Sequence, residues 1–326
     1  MNNVAVNRCR TWLSEVLRGW DEFWFTATRP HTFCLIRILA GMMLLYTHLV
    51  WTIDLMAFIG PDAWLTIDLS REIASRQNPS AWTPLWHIQS PALLWGFHIT
   101  GLLVIFMFTI GLFTRVTAVA SWMFAVAYCQ RLQGALFGLD QVNTMLTLYL
   151  MLGPCGAVYS VDHWLRRSKS GINAEDDSSS VWTNVGIRLI QVHMCVIYFF
   201  GGISKMTGGD WRNGNAIWFA IANQEYQSLD ITWLGSPQWA FLLAVLTHVT
   251  VFWEISYSAL IWHRLTRPVM LAIALLIHGG IALFMGMITF GVAMIFGNLA
   301  FIKPATVEAV IGKLTPNSRS DEADNV

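Results

Sequence analysis

From residue 31 onward the chain alternates long apolar runs with short polar breaks, and most of the runs have the length of membrane spans. A helix needs about 20 mostly apolar residues to cross about 30 Å of hydrocarbon. Runs approaching or exceeding that length cover 33–53, 91–113, 116–135, 139–159, 184–205, 237–262, 268–287 and 288–303. The pattern predicts an all-α polytopic transmembrane helix bundle of about eight spans. The last two runs are nearly contiguous, so the chain must break or re-enter between Gly286 and Gly291. Ahead of the spans, Trp12, Leu13, Val16, Leu17, Trp20, Phe23 and Trp24 recur at spacings of three and four. That predicts an amphipathic, interfacial helix within residues 1–30.

The polar breaks predict one membrane domain over 31–304, a Ser-rich loop over 168–180 and a polar tail over 305–326, the last two expected to be disordered. Basic residues orient the spans. Arg8, Arg10, Arg18, Arg29, Arg115, Arg166, Arg167, Lys169, Arg264, Arg267, Lys303 and Lys313 all fall on one side, whereas loops 54–90 and 206–236 hold more acid than base. The positive-inside rule then places both termini in the cytoplasm. The two acid-richer loops face outward, and their Trp64, Trp82, Trp86, Trp211, Trp218 and Trp233 suit a roof at the membrane surface.

Composition supports this picture. Hydrophobic residues make up 55% of the chain and charged ones 12%, against roughly 25% charged in soluble domains. A formal net charge of +0 provides no basic field for nucleic acid. The five cysteines lie far apart and lack zinc-site or redox spacing, so they read as small buried hydrophobes, and no metal is expected. The first 30 residues have no uninterrupted apolar core of the kind a cleavable signal needs.

Ionisable groups inside spans cost at least a few kcal/mol each and mark functional interiors by default. Here they are Arg37, His48, His98, Asp140 (with Gln141 and Asn143), Arg188, His193, His248, Glu254 and His278. On the fifth span, Arg188, Gln191, Cys195, Tyr198, Gly202 and Lys205 fall within about 100° of one another on a helical wheel, forming one inward polar stripe. Gly201 and Gly202 permit close approach of another backbone, and Gly208 with Gly209 end the helix beyond Lys205. A desolvated Lys in that position suits a general base, although a Lys at a span end also snorkels to headgroups. Glu254 is expected to pair with Arg37 or His278.

Four stretches together resemble the horizontally transferred transmembrane (HTTM) domain family, which includes the membrane portion of vitamin K-dependent γ-carboxylase. They are RPHTFCLIRILAG (Arg29–Gly41), LDQVNTMLTLYLMLGPCGAVYSVD (Leu139–Asp162), YFFGGISKMTGGDW (Tyr198–Trp211) and HGGIALFMGMITFGVAMIFGNLAFI (His278–Ile302). The resemblance implies a lyase-type membrane enzyme that oxygenates reduced vitamin K, with oxygen and carbon dioxide as co-reactants. Lys205 falls on the family's catalytic Lys. Asp140, Gln141 and His278 would join it in catalysis, and Arg37, Gln191, Tyr198, Asn143, Glu254 and Trp211 would hold the quinol. Where the carboxylase has an Asn-His pair, this chain reads Gly138-Leu139-Asp140-Gln141 with Asn143. The reading therefore stops at quinol or lipid chemistry on an outward face, with membrane lipid and a separate extracytoplasmic protein as partners. Two other classes stay open: a transport or assembly protein with a polar intramembrane path, and a haem protein ligated by intramembrane His.

Overall fold

A computed structural model describes residues 2–170 and 179–314. Its helices are α1 (Asn2–Phe25), α2 (His31–Ile53), α3 (Leu55–Ile59), α4 (Ile67–Gln77), α5 (Pro91–Ile110), α6 (Thr114–Arg131), α7 (Gly138–Leu150) and α8 (Val161–Ser170). They continue with α9 (Val181–Thr207), α10 (Gly209–Arg212), α11 (Ala216–Ile221), α12 (Pro237–Leu260), α13 (Arg267–Phe284), α14 (Ile288–Asn298) and α15 (Pro304–Leu314). No strand forms among the described residues, which hold one isolated bridge between Thr28 and Ser180. The chain is an all-helical bundle.

Five of these helices, α2, α5, α9, α12 and α13, are long and apolar enough to cross a membrane. This identifies an integral membrane protein, with fewer uninterrupted spans than the eight expected. The three shortfalls have local causes. Helix α6 forms, but Arg115, Thr117, Ser121, Gln130 and Arg131 dilute its apolar character. Helix α7 stops after 13 residues, where Gly153 and Pro154 follow and proline can neither donate to a helix nor tolerate one before it. Helix α14 has 11 residues. It passes through a short 3-10 turn into α15 with a bend of 117°, and the bent pair raises the number of spans to at most six.

The non-helical stretch after α7 explains a fully buried charge. Backbone that leaves a helix within a bilayer must find its hydrogen bonds inside the protein. Arg37, fully buried, donates from Nη2 to the carbonyl of Tyr159 at 2.5 Å. Its guanidinium occupies the space a side chain at residue 111 would need, and Gly111 there has φ 74°. Asp162 closes the same corner. Its Oδ1 accepts from Phe113 N at 2.9 Å, and its Oδ2 accepts from Thr114 N at 2.7 Å and Thr114 Oγ1 at 2.5 Å, capping α6.

Helix α1 leaves Trp12, Leu13, Leu17 and Trp20 exposed. Its far end docks on α9: Asn184 Nδ2 donates to the carbonyls of Phe23 and Trp24 at 2.8 and 2.9 Å, and the Arg188 guanidinium lies 4.3 Å from the Phe23 ring centroid. Residues 305–314, expected to belong to a disordered tail, instead continue α15, whose first residue Pro304 sits where the missing N–H costs nothing. Glu308 on α15 pairs with Arg29 at 2.8 Å. Of the expected Ser-rich loop, Ser180 instead bridges to Thr28 and caps α9. Residues 171–178 and 315–326 lie outside the described residues. Cys34, Cys155 and Cys195 are buried and Cys129 is half-buried.

Candidate functional site

Helix α9 packs most extensively against α12, and the reason lies in two glycines. A Cβ on Gly202 would stand 2.7 Å from Ile255 Cγ1 and 3.1 Å from the Ile255 backbone nitrogen, so the two backbones meet there with no room for a side chain. Gly201 sits one turn before Lys205 and faces the same gap, where an added Cβ would stand 3.7 Å from Lys205 Nζ and 3.6 Å from Glu254 Oε2. The close approach brings Lys205 Nζ to 2.8 and 2.7 Å from the two carboxylate oxygens of Glu254. Glu254 therefore pairs with Lys205, not with Arg37 or His278 as expected. Trp211 follows the helix end and places its ring 5.2 Å from the ammonium. The Glu254 side chain keeps 11% of its surface accessible and Lys205 keeps 26%, so the pair is dry on one side and open on the other.

Beneath this pair runs a directional chain of hydrogen bonds. Tyr257, one turn from Glu254 on α12, donates to Asn298 Oδ1 at 2.6 Å. Asn298 Nδ2 donates to the Tyr198 hydroxyl at 2.8 Å, and that hydroxyl lies 2.7 Å from His278 Nε2. The rings of Trp253 and Tyr257 pack on Tyr198 at 4.8 and 4.4 Å. The four hydrogen-bonded residues come from α9, α12, α13 and α14, and all are buried. His278 meets the Tyr198 hydroxyl through Nε2, while its Nδ1 has no hydrogen-bond partner.

The expected site residues divide accordingly. The structure brings together Lys205, Glu254, Trp211, Tyr198 and His278. Gln191 lies further along α9 toward Arg188, accepting from Arg188 Nη1 at 2.9 Å and donating to the Ala300 carbonyl at 2.7 Å. Arg37 belongs to the opposite end of the bundle: Phe33, one turn earlier on α2, touches the Gly186 position of α9. From there Lys205 is about 28 Å along the helix at 1.5 Å per residue. Gln141 is exposed, whereas Asn143 is buried with neither side-chain polar atom hydrogen-bonded.

Asp140 lines a different feature, a cavity of about 610 Å³ between the ends of α2 and α7, the α6–α7 link and the α13–α14 turn. Phe290 stands between that cavity and the hydrogen-bonded chain, its ring 6.1 Å from that of His278. Sequence reasoning did not single out Asn298 or Tyr257. An amide inside the last apolar run was the available signal for Asn298, and the one-turn spacing from Glu254 was the signal for Tyr257.

The other intramembrane histidines lie elsewhere. His98 contacts Thr52 Oγ1 at 2.8 Å and the Tyr128 hydroxyl at 2.6 Å, and His193 contacts the Tyr149 hydroxyl at 2.8 Å. No group of three or more His, Cys, Asp or Glu among the described residues is placed to hold a metal ion. Set against family models, curated proteins and solved structures, the chain matches none.

Proposed function

We propose that the chain is a multi-pass membrane enzyme whose Lys205–Glu254 pair moves a proton to and from a lipid-soluble substrate of the quinol type. The observation that carries this reading is the two-pronged contact at 2.7 and 2.8 Å between an ammonium and a carboxylate at the edge of an apolar bundle. In water the ionised pair dominates. In a dry site the cost of burying two charges narrows the gap to the neutral pair, an amine beside a carboxylic acid. With its proton passed to Glu254, Lys205 holds a free lone pair that removes the proton of a quinol hydroxyl. The ammonium formed then stands beside the quinolate oxygen and stabilises it. Glu254 is the proton's store and Trp211 the wall against which a flat ring lies.

The resemblance supplies the substrate class and the step that follows, addition of oxygen to the quinolate. The distribution of basic residues puts Lys205 on the extracytoplasmic side, where a separate protein would bring any substrate for the base so generated. The test uses purified protein in detergent with a reduced naphthoquinone under oxygen. Wild type is expected to release the quinone epoxide, with Lys205→Ala and Glu254→Gln losing at least a hundredfold in rate. Absence of epoxide from folded wild type, or its persistence in Lys205→Ala, overturns the reading.

The same contact favours a second reading, in which the pair is an interhelical clasp in a transport or assembly protein. A clasp survives replacement of both partners by apolar residues of similar size. Retained function in a Lys205→Met, Glu254→Leu double variant would establish it.

A further inference from the structure

The cavity bordered by Asp140 has the volume of a small-molecule site, and its walls define the ligand by charge. Most of the lining is apolar or aromatic, including Trp51, Phe58, Leu136 and Phe290. Its two charged side chains, Asp140 and Glu225, are both carboxylates, and no Lys, Arg or His borders it.

We propose that this cavity binds an organic cation with an apolar body, an alkylammonium or arylammonium amphiphile, with Asp140 as its counter-ion. Asp140 is 9% exposed, and its Oδ2 accepts from Phe137 N at 2.9 Å. None of the described basic side chains pairs with it. A buried carboxylate so poorly compensated costs several kcal/mol, and a cation entering the cavity recovers much of that cost. An anion meets the opposite situation. The start of α7 offers donors that would attract one, but Asp140 already occupies the Phe137 N–H and places its own negative charge there. Aromatic faces add to the preference for a cation. Trp51 is held in the wall by stacking on Tyr128, with centroids 4.8 Å apart and planes 7° from parallel. Tyr226 and Glu225 come from the loop between α11 and α12 and close the cavity from the other side. The inference rests on the cavity alone and does not depend on the chemistry assigned to Lys205.

The probe is benzyl-hexyl-dimethylammonium, compared with an uncharged alcohol of the same carbon skeleton, titrated into the full chain in a nonionic detergent. Wild type is expected to bind the ammonium saturably and the alcohol at least tenfold more weakly. Asp140→Asn keeps the shape and hydrogen-bonding length of the side chain and is expected to lose at least tenfold in affinity. Leu136→Trp fills the cavity and should abolish binding. Lys205→Met is expected to bind the ammonium as wild type does, which separates this site from the proton-transfer pair. Equal affinity for ammonium and alcohol, unchanged affinity in Asp140→Asn, or no saturable binding to folded wild type each overturns the proposal. The comparison of the two probes on wild type decides the matter even if Asp140→Asn fails to fold.

Discussion

The Tyr198 hydroxyl and His278 Nε2 are 2.7 Å apart, and Asn298 Nδ2 donates to the same hydroxyl at 2.8 Å. One oxygen thus joins three helices, α9, α13 and α14. Tyr198→Phe removes it, leaving His278 Nε2 without a partner in a buried site and Asn298 Nδ2 with only its bond to the Met294 carbonyl at 2.9 Å. An unsatisfied buried polar group costs about 1–3 kcal/mol. The variant is expected to unfold at a clearly lower temperature in detergent, and an unchanged Tm would remove the chain of hydrogen bonds from the account of stability.

The ion pair makes an opposite prediction for single and double variants. Lys205→Met strands the Glu254 carboxylate and Glu254→Leu strands the ammonium. Each is expected to destabilise by about 2 kcal/mol, below the 3–5 kcal/mol of a fully buried pair because Lys205 keeps 26% of its surface accessible. The double variant should recover most of that loss. A double-mutant cycle in denaturant measures the coupling, and additive losses would show that the two side chains do not depend on each other.

Helix approach sets the geometry of the pair, so Gly202→Val tests it from outside. The new side chain overlaps Ile255, which cannot yield because its backbone lies 3.1 Å from the added Cβ. Overpacking of this kind costs about 1–3 kcal/mol. A cross-link between cysteines placed on α9 and α12 should form more slowly in Gly202→Val than in its parent.

Arg37 answers a different question. Replacement by Met leaves the Tyr159 carbonyl without its donor, and a loss of about 3 kcal/mol is expected for a charge-assisted bond in a buried site. Because Lys205 lies at the other end of the bundle, the quinol assay on whatever fraction remains folded should be unaffected. A selective loss of quinol affinity in folded Arg37→Met would support the cofactor-binding role that the resemblance implied for it.

Asp162 sets the acid limit of the α5–α6 corner. Partial burial raises its pKa, but the hydrogen bonds from Thr114 and Phe113 and the nearby Arg166 outweigh it, so the carboxyl titrates below its ordinary value. A lowered folded pKa contributes stability that is complete above the unfolded value, about 3.9, and is lost as pH falls through the folded one. Stability is therefore expected to decline below about pH 4. Asp162→Asn should remove this component of the decline and cost about 1 kcal/mol at neutral pH as a lost helix cap. Urea titrations at pH 3 and pH 7 compare the two.

Much of the architecture can be read from the sequence because apolar length is a local property. The five long helices follow from their runs of Leu, Ile, Val and Phe, and the inward stripe from Tyr198 to Lys205 follows from helical angle alone. Neighbours do not follow. Glu254 reads as a partner for Arg37 or His278 until the Gly201–Gly202 gap brings α12 against α9 and gives it to Lys205. The broken spans are misread for a related reason: an apolar count across 139–159 averages over Pro154, whereas a helix stops there. Asn298 escaped notice because one amide barely changes the hydropathy of its run, although it is the link between Tyr257 and Tyr198.

The shortness of α7 has a consequence for how the protein is made. Its 13 helical residues reach about 20 Å, well under the thickness of the hydrocarbon layer, and the chain beyond them leaves the helical ladder, so its peptide groups need partners elsewhere in the protein. One of these is met by Arg37, a residue synthesised more than a hundred positions earlier. Neither segment is comfortable in lipid alone, since one carries an unmatched charge and the other an unmatched carbonyl. The insertion machinery must therefore keep α2 at hand until α7 emerges, and the order of assembly is written into a single hydrogen bond.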